Sequence, residues 1–501
     1  MARTFIQPTL KGHIAALLFG VLLPFSMAPW NWWPIGLLSI AGLVVLLRQL
    51  SSKATFWRSF CFGLGLFGCG VSWVFVSIHD HGQASILLAS LLTALFVIAL
   101  ALVFAAPFAL YGAGLNQHAG IMVIAFPAIW VLGEWWRGWV FSGFPWLYLG
   151  YGHLDTWLSG WAPIAGVLGI SWIAALSGSL LGIILLPRQK FTLSNFAVVI
   201  ALFWLGGWYL QNETWTRPVG EPLRIGIVQP ALPLNVKWDS DQLNNILTVY
   251  REETEPLLGA DLVIWPESAI PTFADEVKPF LKAMAAEAID QNTGLITGIP
   301  IREFGQQYFN SVIGLGGASG TYHKQHLVPF GEYVPFERWL RGTIAFFDLP
   351  MSAFSPGPAT QAPITANGIA IGTAICYEIV FQDMVARSAR ETNLLLTVSN
   401  DTWFGRSIGP QQHFQMARMR AMENRKPLIR ATNDGITALI SSQGEVVASA
   451  PAYSRQTLSG YLTPKRGITP FTEGGSLPIL ALCLLTLILA GFSQQRSNIK
   501  R

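Results

Sequence analysis

About eight long segments of almost entirely apolar residues restrict the fold of this chain more than any other feature. They lie near residues 12–29, 33–48, 56–78, 84–114, 119–140, 161–187, 194–212 and 474–493. A helix needs about 20 mostly apolar residues to cross the hydrocarbon core of a bilayer. The pattern predicts a multi-pass α-helical membrane domain with about eight spans. Other spans follow residues 12–29 directly and no small-residue cleavage site is clear, so we do not interpret this segment as a cleavable signal peptide.

The composition agrees with a large apolar part and excludes one class of partner. Of the 501 residues, 52% are hydrophobic and only 12% are charged, whereas soluble domains carry about a quarter charged residues. The net charge is +4, and the basic residues form no groove-like cluster. The sequence therefore predicts a membrane protein that does not bind nucleic acid.

Residues 213–473 differ in character from the segments on either side. They hold most of the Asp and Glu, and strand-like runs alternate there with helical patterns. The strand-like runs are 223–229, 261–267, 294–300, 310–315, 368–376, 393–399 and 435–441. This alternation predicts layered α/β architecture. We therefore predict three regions: a transmembrane domain of about seven helices at 1–212, an aqueous domain at 213–473, and a last transmembrane helix with a tail at 474–501.

The distribution of Lys and Arg in the short loops predicts the orientation. These residues occur near both ends of the chain and in two alternate loops, at Arg3, Lys11, Arg48, Lys53, Arg58, Arg188, Lys190, Arg496, Lys500 and Arg501. The intervening loops, "PWNWW" and "SIHDHGQ", contain neither residue type. Because cytoplasmic loops are rich in Lys and Arg, both termini are predicted to be cytoplasmic and residues 213–473 to lie in a periplasm-like compartment.

Cys376 is distinguished from the other cysteines by its surroundings. Cys61, Cys69 and Cys483 lie inside apolar segments, whereas Cys376 lies in the polar region. The sequence contains no CxxC and no Cys/His ligand spacing, so we predict neither a metal nor a cofactor. A lone thiol is at risk where disulfide chemistry dominates, which favours a chemical role. The alternative is a buried, inert cysteine.

Three short segments, each at the end of a strand-like run, carry the residues that are suited to thiol chemistry. They are "VIWPESAIP" with Glu267, "YHKQHLVPFGEYVPF" with Lys324 and Glu332, and "AICYEIVF" with Cys376 and Glu378. A thiol acts as a nucleophile only as the thiolate, so it needs a base or a nearby positive charge. Glu267 can take the proton, and Lys324 can favour the thiolate and then an oxyanion. The backbone N–H of Tyr377 can act as a second oxyanion donor.

The order Glu, Lys, Cys within "WPE", "HK…PFGEYVP" and "CYE" resembles the nitrilase superfamily of carbon–nitrogen hydrolases, over about residues 222–465. The resemblance implies an αββα sandwich in which Glu267 is the general base, Lys324 the oxyanion stabiliser and Cys376 the nucleophile. It also implies that Glu332 is a second glutamate, which either orients Lys324 or forms a structural ion pair. Glu378 is either a helix-start carboxylate favoured by the macrodipole or a group that tunes the site.

The whole chain resembles a narrower family, the apolipoprotein N-acyltransferases. The motifs that carry this resemblance are "EWWRGW", "GFPW", "QP…KW", "HLVPFGEYVPFE", "ICYE" and "SNDTWFG". It implies that Cys376 takes an acyl chain from a phospholipid, usually phosphatidylethanolamine, as a thioester. The chain then passes to the α-amine of the diacylglyceryl-cysteine of an apolipoprotein. The resemblance further implies a multi-pass protein of the bacterial inner membrane with a periplasmic catalytic domain, and nothing in the sequence demands more than a monomer.

Five further residues are candidates for binding the lipid substrates: Trp238, Asn400, Trp403, Trp146 and Arg137. For Trp238 the alternative is ordinary loop packing, and for Arg137 it is an i,i+3 ion pair with Glu134. The aromatic segment 338–351 is a candidate for a loop that enters the bilayer.

Two other function classes remain open from the sequence. The alternative enzyme is a membrane-tethered nitrilase-like amidase that hydrolyses a small amide. The non-catalytic alternative is a transporter or channel with an outer domain, against which stands the small number of ionisable groups in the spans.

Overall fold

The computed structural model describes residues 9–186, 190–303, 307–335, 337–340 and 353–499. The chain divides into two compact units. The first comprises the described residues of Met1–Phe75, Ile86–Glu213 and Gly474–Arg501, and the second comprises Val76–Ser85 and Thr214–Glu473. Residues 341–351 of the loop predicted to enter the bilayer lie outside the described residues.

The first unit is built from helices, and each apolar segment coincides with one of them. The α-helices in this part of the chain are Leu10–Leu22, Trp33–Leu47, Ser52–Gly70, Trp73–Val76, Ile86–Leu110, Ala119–Arg137, Ala162–Ile184, Lys190–Leu210 and Leu477–Ile499. Shorter 3₁₀ or π turns occur at Leu23–Ser26, Tyr111–Leu115, Val140–Ser142, Leu149–His153 and Trp157–Trp161, while the π turn Ser77–His81 belongs to the second unit. The first helix gives way to a 3₁₀ turn at Leu23–Ser26, where Pro24 cannot donate a backbone hydrogen bond.

Only some of these helices meet the requirements for a membrane span. Among the described residues, the helical stretches Ile86–Leu115, Ala119–Arg137, Trp157–Ile184 and Leu477–Gln495 are long and apolar enough to cross a bilayer. The pair Ser52–Gly70 and Trp73–His81, bent by 53°, would be a fifth span if it crosses as one. Leu10–Ser26, Trp33–Leu47 and Ala197–Leu210 are shorter apolar helices. Several membrane-capable helices are thus confirmed, while the count of eight spans stays a prediction.

The second unit contains two β-sheets. Its strands are β1 Arg217–Pro218, β2 Leu223–Gln229, β3 Leu262–Ile264, β4 Gly294–Glu303, β5 Gln307–Gly316, β6 Ala318–Ser319, β7 Thr321–His323, β8 Ile364–Ala366, β9 Ile369–Ile375, β10 Leu394–Ser399, β11 Leu428–Thr432, β12 Ala438–Ile440, β13 Val446–Ser449, β14 Gln456–Leu462 and β15 Lys465–Arg466. One sheet has six strands in the order β14-β2-β3-β4-β5-β7, and the other has seven in the order β13-β12-β11-β10-β9-β8-β6. The short pair β1 and β15 forms a separate ribbon.

Helices cover the outer faces of these sheets, and the core lies between the sheets. The α-helices of this unit are Leu234–Lys237, Leu243–Thr254, Lys278–Asp290, Glu337–Leu340, Gln382–Ala389, Gly409–Asn424 and Pro470–Gly474. Ile225 and Ile264 of one sheet pack with Ile371, Leu396 and Ile429 of the other. The central strands are near-continuous apolar runs because both of their faces are buried. The αββα sandwich expected from the sequence is therefore the observed arrangement.

The topology brings several loops to common sheet edges. Strands β2, β3 and β4 run parallel in one sheet, and β9, β10 and β11 run parallel in the other. The carboxyl ends of neighbouring parallel strands lie at the same edge, where ligands bind in α/β sheets. The residues that follow β3, β9, β10 and β11 are thereby collected from distant parts of the chain. Strand β3 is shorter than the predicted 261–267, ending before Pro266, which cannot donate to a strand ladder.

Candidate active site

Cys376 lies at a sharp turn between a strand and a short helix. It directly follows β9 and begins the 3₁₀ helix Cys376–Val380. Its φ of +53° is in the left-handed region, which costs a non-glycine residue about 1–2 kcal/mol. Backbone strain of this kind persists where the surroundings hold it, and functional sites are common places for it. Burial raises the pKa of the Cys376 thiol, and the charge of Glu267 raises it further, while Lys324 lowers it.

Glu267 is surrounded by hydrogen-bond donors. Its Oε1 accepts from Asn310 Nδ2 at 2.8 Å and lies 3.5 Å from Lys324 Nζ. Its Oε2 accepts from the backbone N–H of Asn400 at 2.8 Å. The carboxylate is buried but fixed at both oxygens, an arrangement that suits a base of defined orientation.

Lys324 is held between two carboxylates. Its buried Nζ lies 2.8 Å from Glu332 Oε2 and donates to Glu332 Oε1 at 2.9 Å. Burial acts to lower the pKa of Lys324, but Glu332, Glu267 and Cys376 outweigh it and hold that pKa above its usual range. Lys324 is therefore an ammonium at neutral pH. The contact with Glu332 fits both readings of that residue, since an ion pair of this geometry also orients the lysine.

The pair of Lys324 and Glu332 leads to a prediction about stability. Lys324→Met leaves two buried carboxylates without their cation, and breaking a buried pair in this way costs about 3–5 kcal/mol. We expect a lowered thermal unfolding midpoint of the detergent-solubilised protein, followed by tryptophan fluorescence. Adding Glu332→Gln removes one of the stranded charges, so the double variant should recover part of the midpoint. A double variant that is less stable than Lys324→Met would contradict the pairing.

Asn310 joins the two glutamates and was missed in the sequence. Its Nδ2 donates to Glu267 Oε1 at 2.8 Å and to Glu332 Oε1 at 2.9 Å. It lies in β5, within the apolar run "NSVIGL". A buried amide inside a strand needs partners, and that was the available signal.

Glu378 connects the turn at Cys376 to the loop that carries Lys324. Its Oε2 accepts from the backbone N–H of Ile375 at 2.7 Å and from Tyr322 Oη at 3.1 Å. Its Oε1 accepts from the backbone N–H groups of Gln325 at 2.6 Å and His326 at 3.1 Å.

Burial raises the pKa of Glu378 to about 7, against the effect of these donors. The contacts are those of a carboxylate at a helix start, and they also tie the segments that carry Cys376 and Lys324.

The remaining candidates are divided between the two units. The N–H of Asn400 contacts Glu267, and the ring of Tyr377 lies 5.1 Å from that of Phe381, centroid to centroid. The carbonyl of Trp403 accepts from Ser77 Oγ at 2.8 Å. Trp238 follows the short helix Leu234–Lys237. Their roles in binding substrate stay predictions.

Trp146 and Arg137 belong to the helical unit. Both are buried, and the Arg137 guanidinium donates to the carbonyls of Phe144, at 2.9 Å, and Trp146. Glu134 accepts from Trp130 Nε1 at 2.8 Å and from the N–H of Leu149 at 2.7 Å. Arg137 thus orders the "GFPW" loop, and its contact with a lipid headgroup stays a prediction.

A buried charged network supports the backbone of Cys376, and sequence reasoning missed it. His413 Nε2 donates to the carbonyl of Cys376 at 3.2 Å, and His413 Nδ1 lies 3.0 Å from Asp401 Oδ1. Asp401 Oδ2 pairs with Arg430 Nη2 at 2.6 Å, and Asp401 Oδ1 accepts from Ser399 Oγ at 2.7 Å. Burial and the Arg430 charge lower the pKa of His413. An arginine inside the buried strand "LIRAT" was the one signal that a partner must lie opposite.

Comparison with known proteins gives matches over both parts of the chain. A family model for the apolipoprotein N-acyltransferase N-terminal domain matches residues 19–180, and one for carbon–nitrogen hydrolases matches residues 224–467. A Pseudomonas paraeruginosa protein named apolipoprotein N-acyltransferase is 43% identical over 497 residues, which cover 97% of each chain. A Coxiella burnetii protein of the same name is 38% identical over 479 residues, covering 95% of this chain and 99% of that one.

Two solved structures each match about half of this chain. A carbon–nitrogen hydrolase from Helicobacter pylori G27 is 16% identical, with a TM-score of 0.38, and the match covers 48% of this chain and 89% of that one. An amidase from Nesterenkonia sp. is 20% identical, with a TM-score of 0.35, over 49% of this chain and 92% of that one.

Proposed function

The chain belongs to the apolipoprotein N-acyltransferase family, and from this premise we propose that Cys376 carries the acyl chain between two lipid substrates. Relatives of that name match nearly its full length, so the function is lipoprotein N-acylation, with a membrane lipid as donor and a lipoprotein as acceptor. The amidase alternative is not favoured. The observation that carries the mechanism is the meeting of Glu267 and Lys324 at 3.5 Å, with both charges acting on the Cys376 thiol.

The first half-reaction forms a thioester. Glu267 takes the proton from the Cys376 thiol, and the thiolate attacks the carbonyl carbon of a phospholipid ester. A C–S bond forms while the carbonyl electrons move to oxygen, where Lys324 and the N–H of Tyr377 stabilise the oxyanion. The ester C–O bond then breaks, and the leaving lysophospholipid oxygen takes the proton from Glu267. We propose the sn-1 chain of phosphatidylethanolamine as the donor.

The second half-reaction forms an amide. The neutral α-amine of the diacylglyceryl-cysteine attacks the thioester carbon and gives one proton to Glu267. The C–N bond forms, the C–S bond breaks, and the proton on Glu267 returns to the Cys376 sulfur. The enzyme is thereby restored, which makes the cycle a ping-pong mechanism.

Membrane attachment accounts for transfer in place of hydrolysis. Excluding water protects the thioester until the amine arrives. Lipid substrates present their reacting groups near the headgroup plane, so a thiol held there loses little entropy in meeting them. We propose a monomer with a helical domain at 1–212, a periplasmic catalytic domain at 213–473, and a final span and tail at 474–501. Both termini are proposed to be cytoplasmic, from the Lys and Arg distribution.

The test of the function follows both half-reactions with purified protein. Without a lipopeptide, phosphatidylethanolamine should yield a burst of about one lysophospholipid per enzyme, as expected when an acyl-enzyme accumulates. Adding a diacylglyceryl-cysteine peptide should give continued turnover and an acylated peptide. The same peptide with its α-amine acetylated is the control and should give the burst alone. Steady release of free fatty acid, or ammonia from small amides with no acylated peptide, would support a hydrolase.

A further inference from the structure

Lys237 is a fully buried lysine that contacts the proposed general base. It ends the short helix Leu234–Lys237 and directly precedes Trp238. Its Nζ donates to the backbone carbonyl of Glu267 at 2.9 Å. Among the described residues its side chain makes no other hydrogen bond and no ion pair. A buried ammonium with a single neutral partner is costly in free energy, so its place beside the active site needs a reason.

Acidic groups from three loops face this ammonium. Glu267 follows β3, Asp434 follows β11 and Cys376 follows β9, and the negative charge of each raises the pKa of Lys237. Burial is the larger effect, and it lowers that pKa to about 8. Lys237 is therefore within electrostatic reach of both ends of the proton transfer, the Glu267 carboxylate and the Cys376 sulfur.

The count of charges in the site shows why a second cation is useful. Lys324 is the cation that contacts both Glu267 and Glu332, so one carboxylate charge remains uncompensated. When the proton passes from Cys376 to Glu267, the negative charge moves from the carboxylate to the sulfur, and the net charge of the site does not change. Arg430 cannot supply the second positive charge, because it is already paired with Asp401 at 2.6 Å.

We propose that Lys237 is a positioning residue for acyl transfer. It fixes the main chain of Glu267, and its ammonium balances the negative charge that passes between Glu267 and the Cys376 sulfur. The inference rests on the proposed function. It adds a second lysine, with a different role from that of Lys324, which is placed to meet the oxyanion.

Lys426 is a matched control within the same unit. It is also buried, its Nζ donates to the carbonyls of Ala389 and Thr392, and burial lowers its pKa to about 8 as well. Burial lowers the pKa of Lys426, whereas the pKa of Lys237 also responds to Glu267, Asp434 and Cys376. Lys426→Met therefore reproduces the loss of a buried lysine without changing the electrostatics of the site.

The experiment compares Lys237→Met, Lys237→Gln and Lys426→Met in the full-length protein between pH 5.5 and 9. Iodoacetamide alkylation of the peptide that contains Cys376, followed by mass spectrometry, reports the thiolate independently of activity. The rate of acylation by phosphatidylethanolamine is measured alongside. We expect both Lys237 variants to alkylate about tenfold more slowly at pH 7, which corresponds to about one pKa unit. The acid limb of the acylation profile should move to higher pH, because losing a nearby positive charge makes the carboxylate easier to protonate.

The glutamine variant separates the two parts of the proposed role. Glutamine carries no charge but offers an N–H donor to the Glu267 carbonyl from a side chain one atom shorter than lysine. Lys237→Gln should therefore have a higher thermal unfolding midpoint than Lys237→Met without recovering the alkylation rate. An alkylation rate at the wild-type level in Lys237→Gln would overturn the charge-balancing role. Alkylation and acylation rates equal to those of Lys426→Met in both Lys237 variants would overturn the whole inference. If the wild type forms no acyl adduct while alkylation still responds to Lys237, the proposed function fails and the electrostatic role stands.

Discussion

Cys376→Ala should remove the acyl-enzyme and all transfer activity while leaving the fold intact. Without the sulfur no thioester can form, whatever the state of Glu267 and Lys324. Alanine has the same Cβ as cysteine, so the left-handed turn at φ +53° should be strained to the same degree in both proteins. Mass spectrometry of wild-type protein taken from membranes should find an acyl mass on the peptide with Cys376, and hydroxylamine should remove it.

The control for this prediction is another part-buried cysteine. Cys61 lies in the helix Ser52–Gly70, and Cys61→Ala should keep both the adduct and the activity. An acyl adduct that persists in Cys376→Ala would place the nucleophile elsewhere. A Cys376→Ser variant with full biological activity would revive the transporter or channel reading, because a serine hydroxyl is a far weaker acid than a thiol.

Glu267→Gln should slow acylation of Cys376 by about 10³-fold, within the 10²–10⁴ that general acid–base catalysis contributes. The amide cannot take the thiol proton. In wild-type Glu267, Asn310 Nδ2 and Lys324 Nζ donate to Oε1, and the N–H of Asn400 donates to Oε2. Whichever oxygen the glutamine NH₂ group replaces, it would therefore face a hydrogen-bond donor. The measurement is the single-turnover rate of lysophospholipid release with phosphatidylethanolamine.

The matched control for Glu267→Gln is a glutamate outside the site. Glu276 lies 3.2 Å from Arg302 in an exposed ion pair, and such pairs contribute about 0–1 kcal/mol. Glu276→Gln should therefore acylate at the wild-type rate. A Glu267→Gln protein that acylates within tenfold of the wild type would show that another group accepts the proton.

Local sequence was enough to predict most of the helices and strands and to place Glu267, Lys324 and Cys376 at strand ends. Long apolar segments become helices because the backbone polar groups must be satisfied within the segment wherever water is absent. Near-continuous apolar runs become the central strands of the sandwich, because both faces of those strands are buried. Glu267, Lys324 and Cys376 each follow such a run, and a strand end is where a side chain leaves the core. These features depend on neighbours in the chain, so a sequence displays them.

The partners of those groups were decided by the tertiary structure alone. Lys237 resembles a surface lysine in the sequence, yet it is buried against the Glu267 carbonyl, which lies 30 positions away along the chain. Asn310 bridges Glu267 and Glu332 from inside an apolar strand, and His413 reaches the carbonyl of Cys376 from a helix. A charge is stabilised by whichever group comes within a few ångströms of it. That distance is set by how the strand ends of two packed sheets converge, and local sequence carries no record of it.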